Sequence, residues 1–269
     1  MTTNNKNIII YVLVSIIILL IIAVLIGSKA ITNILPSPHN VELHSRESYR
    51  YMKPEEAKIN LLEFDQTKSV QTIKFRIERK GRPLTDLQMD HERLVHLILI
   101  KSDMSDFFHL HPILTEDGIF TVELQFRPIG SWIFYAQGVS KEHGAFIAQK
   151  SFTDGTPGNP SLTENNITNG IQSDYNFDNA KAQTGILNYS VDLYKNSFEI
   201  EPENYLGARG HSVVVNVLTK QMLHVHPETN NLAFTAQLPE PGVYKIFTEF
   251  QVGGKVYKTE KIVRSEFKD

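Results

Sequence analysis

Apolar and polar residues alternate with a period of two along many short stretches of this chain. The alternation is clear over residues 73–78 and 118–126, and a continuous apolar run occupies residues 94–100. Alternation of this kind indicates a β-strand with one packed face and one solvated face, whereas a short continuous run is typical of a core strand. Segments that contain Gly or Pro separate the stretches, and no strong amphipathic helix pattern appears. The pattern predicts an all-β protein.

The strand pattern stops once and then restarts. Residues 155–185 are rich in Asn, Gly, Ser, Thr and Pro, a composition typical of an exposed linker. On either side, residues 62–154 and 186–269 each carry about six or seven strand-like stretches. We therefore predict an all-β fold with two tandem immunoglobulin-like antiparallel sandwich modules that are joined by this linker.

A different pattern occupies the beginning of the chain. Residues 8–27 form an uncharged, almost entirely apolar run of twenty residues. A helix of this length rises about 1.5 Å per residue and spans a hydrocarbon core of about 30 Å. We predict one transmembrane helix at residues 8–27, preceded by a cytoplasmic tail at 1–7 and followed by a polar stalk at 28–61.

A cleaved signal peptide is the alternative interpretation of the same run, because Ser28-Lys29-Ala30 offers small residues where a signal peptidase cuts. The apolar run is longer than the roughly 7–15 residues of a typical signal-peptide core, which favours an uncleaved anchor. The expected localisation is the cell membrane, with a single pass and an extracytoplasmic C-terminal part.

Histidines recur in two matching frames, one in each predicted module. Each frame has a histidine, then twelve residues, then His-x-His-Pro. The imidazoles of the two frames are His96, His109 and His111, and His211, His224 and His226. The spacing of the histidines is kept while most neighbouring identities differ, which indicates that the imidazoles share a role.

The geometry of a strand brings these side chains together. In His109-x-His111 both imidazoles leave the same face of a strand. If the chain folds into a hairpin near Asp103, His96 lies across from them, and His211 is returned to His224 and His226 in the same way. Three neutral imidazoles suit Zn²⁺, Cu²⁺ or Ni²⁺ and leave a fourth position open. The alternative is a structural role that both modules inherited from one ancestor.

Composition narrows the classes of function. The chain has no Cys, which excludes disulfides, thiolate nucleophiles, Cys-based zinc sites and the Cys ligand of blue copper. The net charge of -3 argues against a nucleic-acid partner, which requires a basic surface. Hydrolase and phosphate-loop motifs are missing from the sequence.

A binding protein is therefore favoured over an enzyme. The carboxylates near the first frame, among them Asp90 and Asp103, have no equivalents near the second, so a duplicated general base is missing and no catalytic residue is assigned. The main hypothesis is an anchored extracytoplasmic protein that binds copper or zinc through the six histidines. The alternative is a structural or protein-interaction sandwich without metal, and a metal-dependent enzyme is a weaker third hypothesis.

A family resemblance rests on these motifs. The frame His-(x12)-His-x-His-Pro is followed in the second module by Phe-x-x-x-Leu-Pro-x-Pro-Gly-x-Tyr-Lys-Ile-Phe. Together they resemble exported bacterial sandwich domains of the YtkA-like and FixH-like group, and the resemblance implies heavy-metal or copper handling. Copper carriers of the CopC type are a more distant comparison. Their site includes a mature N-terminal histidine, which an anchored chain lacks.

Overall fold

The computed structural model describes residues 52, 56–64, 71–115, 118–125, 129–155, 158–178, 185–227 and 231–267. The predicted cytoplasmic tail, transmembrane helix and most of the stalk lie outside these residues. Within the described part of the chain, no helix is long and apolar enough to cross a membrane. All regular elements there are β-strands, and every strand pair is antiparallel.

The first half of the described chain, module 1 from here on, contains ten strands. They are β1 (Ala57–Glu63), β2 (Gln71–Arg79), β3 (Arg82–Pro83), β4 (Leu87–Gln88), β5 (Val95–Lys101), β6 (Phe107–Leu110), β7 (Ile113–Leu114), β8 (Phe120–Leu124), β9 (Trp132–Ser140) and β10 (Gly144–Phe152). One sheet has the order β1-β2-β8-β7 with β3 beside β2, and the other has the order β10-β9-β5-β6 with β4 beside β9.

The second half, module 2, repeats this plan with nine strands. They are β11 (Ile167–Thr168), β12 (Ile171–Phe177), β13 (Ile186–Lys195), β14 (Phe198–Ile200), β15 (Gly210–Asn216), β16 (Met222–Val225), β17 (Ala233–Gln237), β18 (Gly242–Val252) and β19 (Lys255–Ser265). One sheet has the order β11-β12-β13-β14 with β17 beside β13, and the other has the order β16-β15-β18-β19.

Each module is a sandwich whose two sheets face each other across an apolar core. In module 1 the inward residues of β2, such as Phe75, and those of β9, such as Phe134, belong to one buried cluster. In module 2 the corresponding cluster joins residues such as Tyr189 of β13 and Ile246 of β18. The alternation of apolar and polar positions that predicts these strands is the alternation between core and outer face.

The hairpin between β18 and β19 shows how closely local sequence sets the strands. Gly253 and Gly254 have φ of 60° and 71°, and Val252 pairs with Lys255 directly across them. Two consecutive residues with positive φ form the two-residue turn whose twist matches that of the flanking strands, and glycine adopts this conformation without steric cost. The Gly-Gly pair therefore sets the turn of this hairpin.

Two predicted boundaries were wrong. The predicted linker 155–185 contributes β11 and β12, and β12 pairs along its length with β13, from Ile171 opposite Lys195 to Phe177 opposite Tyr189. Its few apolar residues recur with period two among Asn and Asp, which is enough to pack on the module core although the overall composition resembles a linker. The predicted stalk 28–61 likewise includes the start of β1, since Ala57 and Ile59 are buried.

The two modules pack face to face through their β5–β9 and β15–β18 sheets. Strands β5 and β15 are buried on both faces. A third apolar cluster joins Ile98 and Phe107 of module 1 to Val213 and Phe247 of module 2, and the rings of Phe107 and Phe247 lie 4.5 Å apart. Alternate residues of both central strands therefore form one interface that the two modules share.

Candidate metal centre

The six framed histidines lie at one end of the interface between the modules. Strands β5 and β15 carry His96 and His211 on the same face as the apolar interface residues Ile98 and Val213, because residues two apart share a face. The hairpins then bring His109 opposite Ile98 and His224 opposite Val213, with the same register in both modules. His96, His109, His211 and His224 are buried.

Contacts between the modules are reciprocal. The ring centroids of His109 and His211 lie 5.0 Å apart, and those of His96 and His224 lie 5.1 Å apart. The rings of His109 and His224 themselves lie 4.7 Å apart. His109 thus contacts the equivalent of His96 in module 2, and His96 contacts the equivalent of His109. A twofold axis between the two modules produces this relation. The six imidazoles form one cluster rather than two separate sites.

Backbone carbonyls orient the first histidine of each frame. Nε2 of His96 lies 3.2 Å from the carbonyl oxygen of Asp90, and Nε2 of His211 lies 2.9 Å from that of Tyr205. Both carbonyls belong to tight turns with consecutive positive φ angles, centred on His91-Glu92 and Leu206-Gly207. A carbonyl oxygen can only accept, so each Nε2 carries the proton and each Nδ1 presents a lone pair to the cluster.

A carboxylate orients the second histidine of the first frame. Nδ1 of His109 lies 3.1 Å from Oε2 of Glu249, which belongs to module 2. Burial favours the neutral carboxyl group of Glu249, which donates its proton to Nδ1 of His109, and Nε2–H of His109 then donates to Nδ1 of His96 at 2.9 Å. A divalent ion bound here would displace the Nε2 proton and favour the ionised carboxylate, which accepts from Nδ1–H and leaves the lone pair of Nε2 to the ion. Tetrahedral Zn²⁺ spaces its nitrogen ligands by about 3.3 Å.

Several ring nitrogens in the cluster have no hydrogen-bond partner among the described residues. They are Nε2 of His111, Nδ1 of His211, both ring nitrogens of His224 and Nε2 of His226, and all are buried atoms. Buried polar atoms are normally hydrogen-bonded, and a missing partner requires an explanation such as a bound ion or water. Five unpartnered nitrogens in one cluster favour a ligand there.

Two sets of three nitrogens converge closely enough to hold an ion. In each set the ligand atoms lie within 4.8 Å of one another, and the sets are His96, His109 and His224, and His211, His224 and His226. The second set is the trio expected from the sequence. The first differs from the expected trio because His224 of module 2 takes the position expected for His111, although the ring of His111 lies 4.5 Å from that of His109.

The environment keeps the imidazoles neutral. Burial lowers the pKa of all six, and neighbouring imidazoles lower it further. The pKa of His111 falls to about 3 and that of His211 to about 4. Burial also raises the pKa of Glu249 to about 8, against the opposing charge of Lys258. Neutral imidazole is the form that binds a metal ion, so the cluster is ready to coordinate at neutral pH.

Sequence reasoning missed two residues of this centre. Glu249 lies on β18 within a run of apolar residues, and only the register that places it opposite His211 reveals its position. His91 has no counterpart in the second frame, and its ring lies 3.8 Å from that of His226. Gln137 occupies the equivalent place opposite His96 in module 1.

Comparison with solved structures gives only distant likenesses. The chain is similar to a structure described as "Structural insight into host cell surface retention of a 1.5-MDa bacterial ice-binding adhesin", with 8% identity, a TM-score of 0.26, and coverage of 78% of this chain and 63% of that one. A tetra-tandem repeat from the extending region of a large adhesion protein gives 10% identity, a TM-score of 0.27, and coverage of 78% and 49%. A BSP domain of a biofilm-associated protein gives 9% identity, a TM-score of 0.21, and coverage of 83% of this chain and 32% of that one. At these scores the likenesses assign no function.

Comparison of the sequence with protein-family models assigns the chain to a family. Among curated protein sequences, none matches this chain. The model of a family described as "Domain of unknown function (DUF8832)" matches residues 53–153 and 169–266, which correspond to the two sandwich modules. Because these two segments make up more than half of the chain, the protein belongs to the DUF8832 family.

Proposed function

We propose that this protein binds a transition-metal ion, copper or zinc, in the histidine cluster between its two modules. The observation that carries the proposal is the convergence of buried, unpartnered imidazole nitrogens from both modules. Neutral nitrogen ligands suit Zn²⁺ and Cu²⁺ and do not suit Ca²⁺ or Mg²⁺, which prefer oxygen. Copper association of the YtkA-like and FixH-like group, which the sequence resembles, is a reason to test Cu²⁺ first.

The role is binding rather than catalysis in this proposal. Glu249 is the carboxylate that contacts the cluster, and its contact is with the ring nitrogen of His109 rather than with an open position. Such a contact orients a ligand and does not supply a general base to a substrate. Sensing, buffering or delivery of the ion are the activities that fit an oriented, mostly buried site.

We further propose an immunoglobulin-like arrangement for each module and an extracytoplasmic position for both, on the single anchor expected at residues 8–27. If the anchor is retained, the protein stays in the membrane fraction, and protease added outside intact cells removes the two modules. A mature N-terminus found at Ile31 would instead indicate a cleaved, secreted protein.

Metal content tests the main proposal. The full chain is dialysed against Cu²⁺ or Zn²⁺, freed of loose metal, and its metal per chain is counted. We expect at least one ion for the wild type, the same for H143A, whose imidazole lies outside the cluster, and a clear loss for H224A. Equal and negligible metal in all three proteins would contradict the proposal.

A second candidate is a protein-interaction module without metal. It is favoured by large apolar side chains on edge strands, since Ile113 of β7 is 73% exposed and Phe198 of β14 is 76% exposed. An edge strand with exposed apolar residues can accept a further strand from a partner. In this case the histidines only pack the interface, and H224A lowers the melting temperature in metal-free buffer while no metal is recovered from the wild type.

A further inference from the structure

The two halves of the histidine cluster carry chemically different residues at a pair of equivalent positions beside the imidazoles. Gln137 lies opposite His96 on β9, and Glu249 lies opposite His211 on β18. The registers of β5 with β9 and of β15 with β18 agree around this pair, since Ile98 faces Tyr135 and Val213 faces Phe247. The repeat therefore places a neutral amide in one module where the other has a carboxyl group.

At the second of these positions, the side chain contacts a histidine of the opposite module. Glu249 lies within hydrogen-bond distance of His109, at 3.1 Å, and is itself only 5% exposed. Gln137 lies on the same face of its sheet as His96, at the position equivalent to that of Glu249. There, Oε1 of Gln137 and Nδ1 of His224 are both buried and unpartnered among the described residues, so the second half lacks the orienting contact that the first half has.

We propose that Glu249 is a positioning residue that makes His96, His109 and His224 the ligands of a single tightly held metal ion. This inference rests on the proposed metal-binding function. A carboxylate on the far nitrogen of a ligating imidazole fixes its tautomer, orients its ring and raises its basicity. Once a divalent ion is bound, the charge of the ion favours the ionised form of Glu249, whose negative charge offsets it in a site that is otherwise made of neutral imidazoles.

The shared histidine limits the number of ions. His224 belongs to both convergent sets, so an ion held by His96, His109 and His224 removes one ligand from the second set. His211 and His226 are then left with two nitrogens, which is fewer than the three that protein zinc sites use. The tight stoichiometry expected from this arrangement is one ion per chain, although the six histidines form two frames.

The test compares E249Q with a swap variant. Glutamine keeps the size of Glu249 and an oxygen that can accept from His109, so E249Q removes mainly the charge. Competition with a chromophoric chelator for Cu²⁺ should show a loss of affinity of about 10–100-fold, the range typical of an outer-shell partner. The double variant E249Q/Q137E moves the carboxylate to the equivalent position in module 1, on the side of His224 if the twofold relation of the modules extends to this side chain, and should then recover most of the affinity.

Controls separate positioning from folding. E240Q removes a half-buried carboxylate of the same module that accepts from Thr219 rather than from the cluster, and should bind Cu²⁺ like the wild type. The electron paramagnetic resonance spectrum of bound Cu²⁺ should change in E249Q, and melting in metal-free buffer reports any purely structural effect. Wild-type affinity and spectrum in E249Q would overturn the inference while leaving the proposed function intact. Failure of the wild type itself to bind Cu²⁺ or Zn²⁺ would overturn both.

Discussion

His224 is the residue on which the cluster depends most. It belongs to both convergent sets of nitrogens, and both of its ring nitrogens are buried without a partner among the described residues. His111 of the first frame is also predicted as a ligand from the spacing, but it lies in neither convergent set and is only partly buried. The two frames therefore contribute unequally although their spacing is identical.

Alanine variants should rank these histidines. We expect H224A to weaken Cu²⁺ or Zn²⁺ binding by more than the roughly 10–100-fold loss of an outer-shell partner, because it removes a direct ligand from either set. H111A should have a smaller effect, and H143A should have none. Isothermal titration of the metal-free proteins measures all three, and a larger loss in H111A than in H224A would support the separate three-histidine sites expected from sequence.

At the scale of the elements, the two His-bearing hairpins could be predicted from the sequence. Period-two alternation and the polar turn near Asp103 place β5 opposite β6, and the structure brings Nδ1 of His96 within 2.9 Å of Nε2 of His109. The local pattern could not predict that the outer face of β5 packs on the second module. A strand that is buried on both faces has the same continuous apolar sequence whether its second face lies in one sandwich core or in an interface between modules. Glu249 was missed for a related reason, since only pairing across strands reveals its neighbour.

A charge in the shared interface should separate the modules. Ile98 is completely buried between them, so I98D places a carboxylate where it has no partner, at a cost of several kcal/mol unless the interface opens. Opening also removes His224 from His96 and His109, so we expect both a lower melting temperature and the loss of tight metal binding. The matched control is I113D, because Ile113 is exposed. Unchanged metal binding in I98D would argue against a site shared by the modules.

At the scale of the whole molecule, a metal ion in this position cross-links the two sandwiches. The set His96, His109 and His224 takes ligands from both modules, at one end of the apolar cluster that already joins them. A ligand that binds only the folded state stabilises that state by mass action, by about 2.7 kcal/mol at a hundredfold excess over Kd. The modules should therefore unfold together, and more cooperatively when the metal is bound.

Calorimetry tests this coupling. In metal-free buffer we expect one main unfolding transition, because the modules share a buried interface. Cu²⁺ or Zn²⁺ at a hundredfold excess over Kd should raise the melting temperature by roughly 5–11 °C, given about 2–4 °C per kcal/mol for a chain of this size. In H224A the same addition should produce little shift. Two well-separated transitions in the wild type would show that the interface does not couple the modules.

Acid should destabilise the protein even without metal. Burial holds the pKa of the six clustered histidines below the ordinary value of 6.5 in the folded state. As pH falls below 6.5, the unfolded chain binds protons that the folded chain does not bind. Each histidine that stays neutral then costs about 1.4 kcal/mol of stability per pH unit. Glu249 acts in the opposite direction, because its pKa is raised to about 8 and its contribution to stability is lost as pH rises from about 4.5.

The histidines outnumber this one carboxyl group, so the net effect below pH 6.5 follows their sign. We expect the melting temperature of the metal-free protein to fall steeply between pH 6.5 and 5. Bound metal should be released only where the chain unfolds or at still lower pH, because the folded cluster holds the pKa of His111 at about 3 and that of His211 at about 4, and only protonated imidazole cannot coordinate. Thermal melts from pH 8 to 5, with and without a chelator, measure both effects. A melting temperature that stays constant across this range would mean that the folded cluster accepts protons as readily as the unfolded chain, which buried imidazoles in mutual contact should not do.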